Sequence, residues 1–209
     1  MKTTLVSDTH SFHDYVKLNG GDVLIHAGDL CNRGTEAEAI LFLNWFKKQD
    51  YRYKIFIAGN HDFYFERAAN EDILNLIPSN VTYLNESAIS IEGIHFWGSP
   101  MTPYFLNWAF NRQRGAEISK HWDLIPDQID VLITHGPPYG ILDQTEEKMN
   151  VGCEDLWNKV KKINPRYHIF GHIHEGYGIQ KNEMTTFINA SFMDRRYYPV
   201  NTPIDITIS

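Results

Sequence analysis

Residues Val23 to Asp62 read VLIHAGDLCNRGTEAEAILFLNWFKKQDYRYKIFIAGNHD. The stretch holds two short apolar runs, Val23-Leu24-Ile25-His26-Ala27 and Lys54-Ile55-Phe56-Ile57-Ala58. Short apolar runs of this kind read as strands. Between them, Thr35 to Gln49 reads as an amphipathic helix. Thr35 can cap it, acidic residues occupy its first turn, and Lys47 and Lys48 its last. With the second strand taken as Tyr53 to Ala58, the segment makes a βαβ unit.

Each run stops at residues that bind metal: Gly28-Asp29 after the first, Gly59-Asn60-His61-Asp62 after the second. Three further runs do the same. Leu5-Val6-Ser7 leads into Asp8-Thr9-His10, Val131-Leu132-Ile133-Thr134 into His135-Gly136, and Tyr167-His168-Ile169-Phe170 into Gly171-His172-Ile173-His174. Five such strand ends in order describe one site assembled from the whole fold. Asp8, His10, Asp29, Asn60, His135, His172 and His174 supply seven ligand side chains. That is too many for one tetrahedral ion with an open position, and suits two ions ~3.5–4 Å apart sharing a carboxylate. Residues two apart in an extended chain project to the same side, so both members of each D-x-H or H-x-H pair can reach one cluster. Carboxylate, amide and imidazole donors together suit divalent transition metals such as Mn, Fe, Zn or Co, whereas Mg prefers fewer imidazoles; Mn is the ion expected, with Fe, Zn, Co, Ni or Mg as alternatives. Gly28, Gly59, Gly136 and Gly171 each adjoin a ligand and would let the backbone approach the ions. His26 and His168, inside apolar strands, are expected as core histidines. His13, His95 and His121 are expected to be structural, and Cys31 a buried thiol.

Outward from this frame, Glu71 to Ile77 predicts a short helix, and Val81-Leu84, Ala88-Ile91 and Ile94-Trp97 a small strand cluster with Glu92-Gly93 as a tight turn. Cys153 to Ile163 predicts a helix ending before Asn164-Pro165. Gly178-Gln180, Thr185-Asn189 and Ile204-Ile208 predict strands, so that two sheets pack together between helices. Gly98 to Ile118 lacks periodicity. Its Tyr104, Phe105, Trp108, Asn111, Arg112 and Arg114 are candidates for a pocket wall, with packing the default for the aromatics.

The 209 residues suit one domain spanning 1–209. A formal charge of −7 is a poor footprint for nucleic-acid polymers. No apolar run approaches the ~20 residues that span a bilayer. Two cysteines make no disulfide framework, and the amino terminus lacks a signal-peptide pattern, so a cytoplasmic setting is expected.

The motifs D-x-H, G-D, G-N-H-D, a later histidine and G-H-x-H, in this order over residues 8 to 174, resemble those of the calcineurin-like metallophosphoesterase superfamily. THGPP at 134–138, GHIHEGYG at 171–178, Ile188-Asn189-Ala190-Ser191 and Tyr198-Pro199-Val200-Asn201 resemble one subgroup, the metallophosphoesterase-domain-containing (brain-type) proteins and class III cyclic nucleotide phosphodiesterases. The resemblance implies a four-layer α/β/β/α sandwich with two metals at the strand ends. Asp8, His10 and His174 would hold the first ion; Asn60, His135 and His172 the second; Asp29 would bridge them. His61 would be the catalytic acid, protonating the leaving group as a metal-bridging hydroxide attacks phosphorus in line.

One place departs from relatives that read G-D-x-x-D-R-G. Here Asn32 replaces the second Asp that orients the catalytic histidine, so either Asp62 takes that role or the acid is weaker. Arg33 matches a phosphate-binding arginine and is equally read as a surface residue beside a helix start. The implied activity is hydrolysis of a small phosphodiester, with a cyclic nucleotide in view. A phosphomonoesterase or phosphoprotein phosphatase and a non-catalytic metal-binding scaffold are the alternatives. A small phosphoester is the expected partner. Arg195, Arg196, Tyr197 and Tyr198 are open to substrate or to a homodimer contact.

Overall fold

The computed structural model describes residues 1–208. In chain order the elements are β1 (Lys2–Val6), β2 (Gly21–Ala27), α1 (Glu36–Phe46), β3 (Tyr51–Ile57), α2 (Phe63–Arg67), α3 (Asn70–Leu76), β4 (Thr82–Tyr83), β5 (Ser87–Ile91), β6 (Ile94–Ser99), β7 (Thr102–Pro103), β8 (Asn111–Arg112), α4 (Ala116–Asp123), β9 (Val131–Thr134), α5 (Glu154–Ile163), β10 (Tyr167–Phe170), β11 (Gly178–Lys181), β12 (Thr186–Asn189) and β13 (Ile204–Thr207). The first sheet has order β13-β1-β2-β3-β4, with β1, β2 and β3 parallel. The second has order β11-β12-β10-β9-β6-β5, and its central β12, β10, β9 and β6 are parallel.

Period-two alternation divides each apolar run between two layers. Leu5, Val23, Ile25, Ile55 and Ile57 of the first sheet join Phe96, Val131, Ile133, Ile169 and Ile188 of the second in one inter-sheet core. The residues between them, such as Leu24, Phe56, Leu132 and Phe170, meet Phe42 and Phe46 of α1, Trp122 of α4 and Leu156 of α5 in an outer cluster. Both faces are therefore apolar, which is why the runs read as nearly unbroken. The outcome is the expected α/β/β/α sandwich. α1 starts on a capping box, in which Glu38 N donates to Thr35 Oγ1 at 3.3 Å and Thr35 N donates to Glu38 at 3.0 Å. It stops at Phe46 with Lys47 as its C-cap, so neither lysine lies in its last turn.

The strand cluster expected at 81–97 is split. β4 pairs with β3 in the first sheet, whereas β5 and β6 form a hairpin in the second. Glu92 (φ 51°) and Gly93 (φ 83°) supply the positive-φ pair of that hairpin turn. Two helices, α2 and α4, were not expected. At five and eight residues they are too short to display a clear period. Among the described residues no helix is long and apolar enough to cross a membrane.

His26 and His168 lie in the core, each bonded through one ring nitrogen. His26 Nε2 meets Thr9 Oγ1 at 2.9 Å and His168 Nε2 meets Thr134 Oγ1 at 2.8 Å. The Thr134 hydroxyl already donates to Gly136 O, so His168 is the donor to it. Their Nδ1 atoms have no partner among the described residues, and burial depresses both rings from 6.5 to about 3. Between those pH values the unfolded chain binds protons that the folded one refuses. The stability contributed is complete above pH 6.5 and is lost as the pH falls toward 3. Urea denaturation should therefore give a midpoint that drops steadily on acidification, and His168→Gln should flatten that dependence. An unchanged slope in the variant would refute the assignment.

Candidate metal centre

The register sets β1, β2 and β3 to end side by side, with Val6 opposite His26 and Ala27 opposite Ile57. A parallel bridge between Ser7 and Ser191, with Ser7 N donating to Ala190 O at 2.9 Å, ties this edge to the second sheet. Asp8 and His10 thus leave β1, Asp29 leaves β2, Asn60 and His61 leave β3, His135 leaves β9, and His172 and His174 leave β10 toward one place. Asp8, His10, Asp29, Asn60 and His135 are buried; His61, His172 and His174 are half-buried.

One oxygen of Asp29, Oδ2, lies 3.7 Å from His10 Nε2 and 3.3 Å from His135 Nε2. His135 Nε2 is also 2.9 Å from Asn60 Oδ1, and His174 Nε2 is 3.4 Å from Asp8 Oδ1. Potential ligand atoms of Asp8, His10 and His174 lie within 4.8 Å of one another, as do those of Asp8, Asp29 and His135, and those of His10, Asp29 and His61. Asp29 is common to the last two groups. His172 stands beside them, its ring centroid 5.0 Å from that of His135.

Three of these histidines are oriented by one device. Nδ1 of His135 meets Ala27 O at 2.9 Å, that of His174 meets Asp194 O at 2.8 Å, and that of His61 meets Asn32 O at 2.8 Å. A carbonyl accepts only, so each Nδ1 carries the proton and each Nε2 faces the site. For His135, burial opposes protonation but the Asp29 carboxylate outweighs it and raises the ring to about 9. For His174, burial is likewise outweighed by Asp8, again to about 9. Burial lowers His10 to about 4, and burial with His135 lowers His172 to about 3. Burial would raise Asp8 and Asp29, but His174 beside the first and His135 beside the second hold both below the usual carboxylate range. The cluster is thus two buried carboxylates that demand positive charge.

Backbone strain concentrates here as well. Asp8 (φ 54°), His10 (φ 42°), Asp29 (φ 54°) and His172 (φ 69°) all occupy the left-handed region, which non-glycine residues rarely enter. Gly28 (φ 101°) lies so close to β3 that a Cβ would sit 2.7 Å from Ala58 O. Gly136 is different: a Cβ there would find Thr102 Cγ2 at 3.4 Å, so it is not a required close approach.

Two expected catalytic residues do not join the cluster. Asp62 does not orient His61; its buried carboxylate accepts from Gly59 N (2.7 Å), Cys31 N (2.9 Å) and Leu30 N (3.2 Å), pinning the two ligand loops together. Arg33 is exposed and lines a separate depression with Phe63 and Arg67, which favours its reading as a surface residue. The Asn32 side chain is not the partner of His61 either, since its backbone carbonyl is.

The family model for calcineurin-like phosphoesterases matches residues 1–176. The chain belongs to that family. It is 42% identical to human Metallophosphoesterase domain-containing protein 1, with 97% of this chain and 69% of that protein covered. It is 40% identical to a UPF0046 protein of Caenorhabditis elegans, with 91% of this chain and 69% of that protein covered. A solved structure aligns at a TM-score of 0.64 and 19% identity, covering 90% of this chain and 89% of that one, a likeness in fold.

Calcineurin-like phosphoesterases bind a dimetal centre, and the residues of this family member fit one. Both nitrogens of the buried His10 ring lack a hydrogen-bond partner among the described residues, although the ring stands against two carboxylates. Beside the cluster opens a cavity of about 350 Å³. Tyr104, Phe105, Trp108, Asn111 and Arg114 line it, so the 98–118 segment is a pocket wall and not only packing; Arg112 instead binds Asn111 O. Trp108 lies 3.9 Å between ring centroids from His61, at 62°. Sequence reading gave no distinct place to Ser191, whose Oγ donates to Asp8 Oδ2 at 2.9 Å, or to Tyr197, which reaches over His61 and His10.

Proposed function

We propose that this chain is a dimetal phosphodiesterase acting on a small phosphodiester, with a cyclic nucleotide among the substrates to test. The observation that carries the reading is the placement of His61: Nε2 faces the cavity directly beside a cluster of buried carboxylates and imidazoles. Asp8, His10 and His174 would hold one divalent ion; Asn60, His135 and His172 the other; Asp29 would serve both. Bound there, the ions would polarise phosphate oxygens and lower the pKa of water. His61, fixed through the Asn32 carbonyl, would give its Nε2 proton to the leaving oxygen.

The wall favours a diester over a monoester. A monoester dianion asks for a free cation. Among the described residues Arg114 is the one Lys or Arg side chain lining the cavity, and its guanidinium is engaged by Gly152 O, Val151 O and Glu154. Pro103, Tyr104, Phe105 and Trp108 instead offer an apolar and aromatic surface to a second ester group. Manganese is the first ion to try, and a cytoplasmic setting accords with the two buried free thiols, Cys31 and Cys153. The test is hydrolysis of bis(p-nitrophenyl) phosphate by protein reconstituted with Mn²⁺, with turnover expected. Absence of turnover with each of Mn, Fe, Co, Ni and Zn would overturn the reading. A higher kcat/KM for p-nitrophenyl phosphate than for the diester would replace it with a phosphomonoesterase.

A further inference from the structure

Tyr197 sits at φ 62° in a turn that follows β12. The turn is closed by Tyr197 N donating to Asp194 O, Asp194 N donating to Tyr198 O, and Arg196 N and Tyr198 N donating to Asp194 Oδ1, all at 2.9 Å. Asp194 O also accepts from His174 Nδ1, so the turn is built directly against a metal-ligand candidate. On its far side Arg195 pairs with Glu146, joining the turn to the loop that bears Thr145 on the cavity wall.

This scaffold carries one phenol into the site. The Tyr197 ring stands edge-on to His10 (4.7 Å, 75°) and to His174 (5.5 Å, 75°). Its hydroxyl lies 3.5 Å from His61 Nε2, at the limit of a hydrogen bond, and has no closer partner among the described residues. A phenol with an ordinary pKa of about 10 is a neutral donor at pH 7. The cavity therefore has ligand side chains on one side, and on another His61 Nε2 and the Tyr197 hydroxyl, a donor, close together. A strained backbone angle held by four turn hydrogen bonds is a costly way to place a ring that only fills space.

We infer that Tyr197 is a substrate-positioning residue whose hydroxyl donates a hydrogen bond to the phosphoryl group beside His61. The inference rests on the phosphoester reading above. It concerns binding, not proton transfer, so the phenol keeps its proton throughout.

Tyr197→Phe tests it, because the ring and its contacts with His10 and His174 stay while the donor goes. Inorganic phosphate binding to the Mn-loaded protein, measured by calorimetry, should weaken roughly 10- to 150-fold, the loss of one hydrogen bond to an anion. Metal content should match wild type, and kcat/KM for bis(p-nitrophenyl) phosphate should fall in parallel. Equal phosphate affinity in the two proteins overturns the inference, as does wild-type protein that binds no phosphate. Loss of metal in the variant also overturns it, since Tyr197 would then be a ligand. The binding arm separates this inference from the proposed activity. Wild type that binds phosphate without hydrolysing any diester defeats the activity alone, while the variant's phosphate affinity still decides the role of Tyr197.

Discussion

Asp29→Asn protein should lose both ions together and, with them, diesterase activity by roughly 10³-fold or more, since several kcal/mol of transition-state stabilisation by metal is at stake. The substitution is nearly isosteric, so the fold should persist. His61 N, which donates to Asp29 Oδ1 at 2.7 Å, can still find the amide oxygen. The other terminal atom must then be the NH2 group, occupying the place of Oδ2. That atom lies 3.7 Å from His10 Nε2 and 3.3 Å from His135 Nε2, between the two sets of ligands. An amide nitrogen there is a donor without a lone pair for a cation, and it removes a full negative charge from a buried cluster. Metal analysis of the purified variant checks the point. If one ion stays at full occupancy while the other disappears, Asp29 is a ligand to one site and the bridge is wrong.

Much of this geometry was legible because parallel strands point their carboxyl ends the same way, so residues following each apolar run converge whatever the details of the loops between. Asp8, Asp29, Asn60, His135 and His172 needed no more than that rule and their chemistry. The βαβ unit and the Thr35 cap of α1 followed equally from local pattern. What escaped were relations without a side-chain signature. The three carbonyls that orient the histidines, Ala27 O, Asn32 O and Asp194 O, exist in every peptide unit, and nothing in residue type singles them out. The same blindness left a choice between Asp62 as the orienter of His61 and a weaker acid, when a backbone oxygen holds the ring and Asp62 binds three amides instead. β4 was grouped with the β5–β6 hairpin because two residues beside a hairpin carry no information about which edge they join. Tyr197 was visible as one of several tail residues, but its approach to His61 spans 136 positions and depends on a turn whose register is set by Asp194.

His61→Ala is the substitution that separates chemistry from metal binding. The ring stands within 4.8 Å of His10 and Asp29 ligand atoms, so proximity alone permits a metal-binding role. Its hydrogen bonds argue otherwise. Nδ1 is committed to Asn32 O, and Nε2 faces the Tyr197 hydroxyl, with Trp108 packed against the ring at 62°. The carboxylate cluster is complete without it, since Asp8, His10 and His174 form one group and Asp8, Asp29 and His135 another. Removing the imidazole should therefore leave metal content at the wild-type value. For a diester with an alkyl leaving group, whose oxygen must be protonated as the bond breaks, the rate should fall by about 10²–10⁴-fold, the usual contribution of a general acid. A p-nitrophenolate leaves as a stable anion, so bis(p-nitrophenyl) phosphate should be far less affected. Because a backbone carbonyl orients the ring, exchanging the Asn32 side chain should not reproduce this loss. An equal loss on both leaving groups would assign His61 to binding or structure, and loss of metal would make it a ligand. Only the leaving-group-dependent loss with metal retained is compatible with an acid at Nε2.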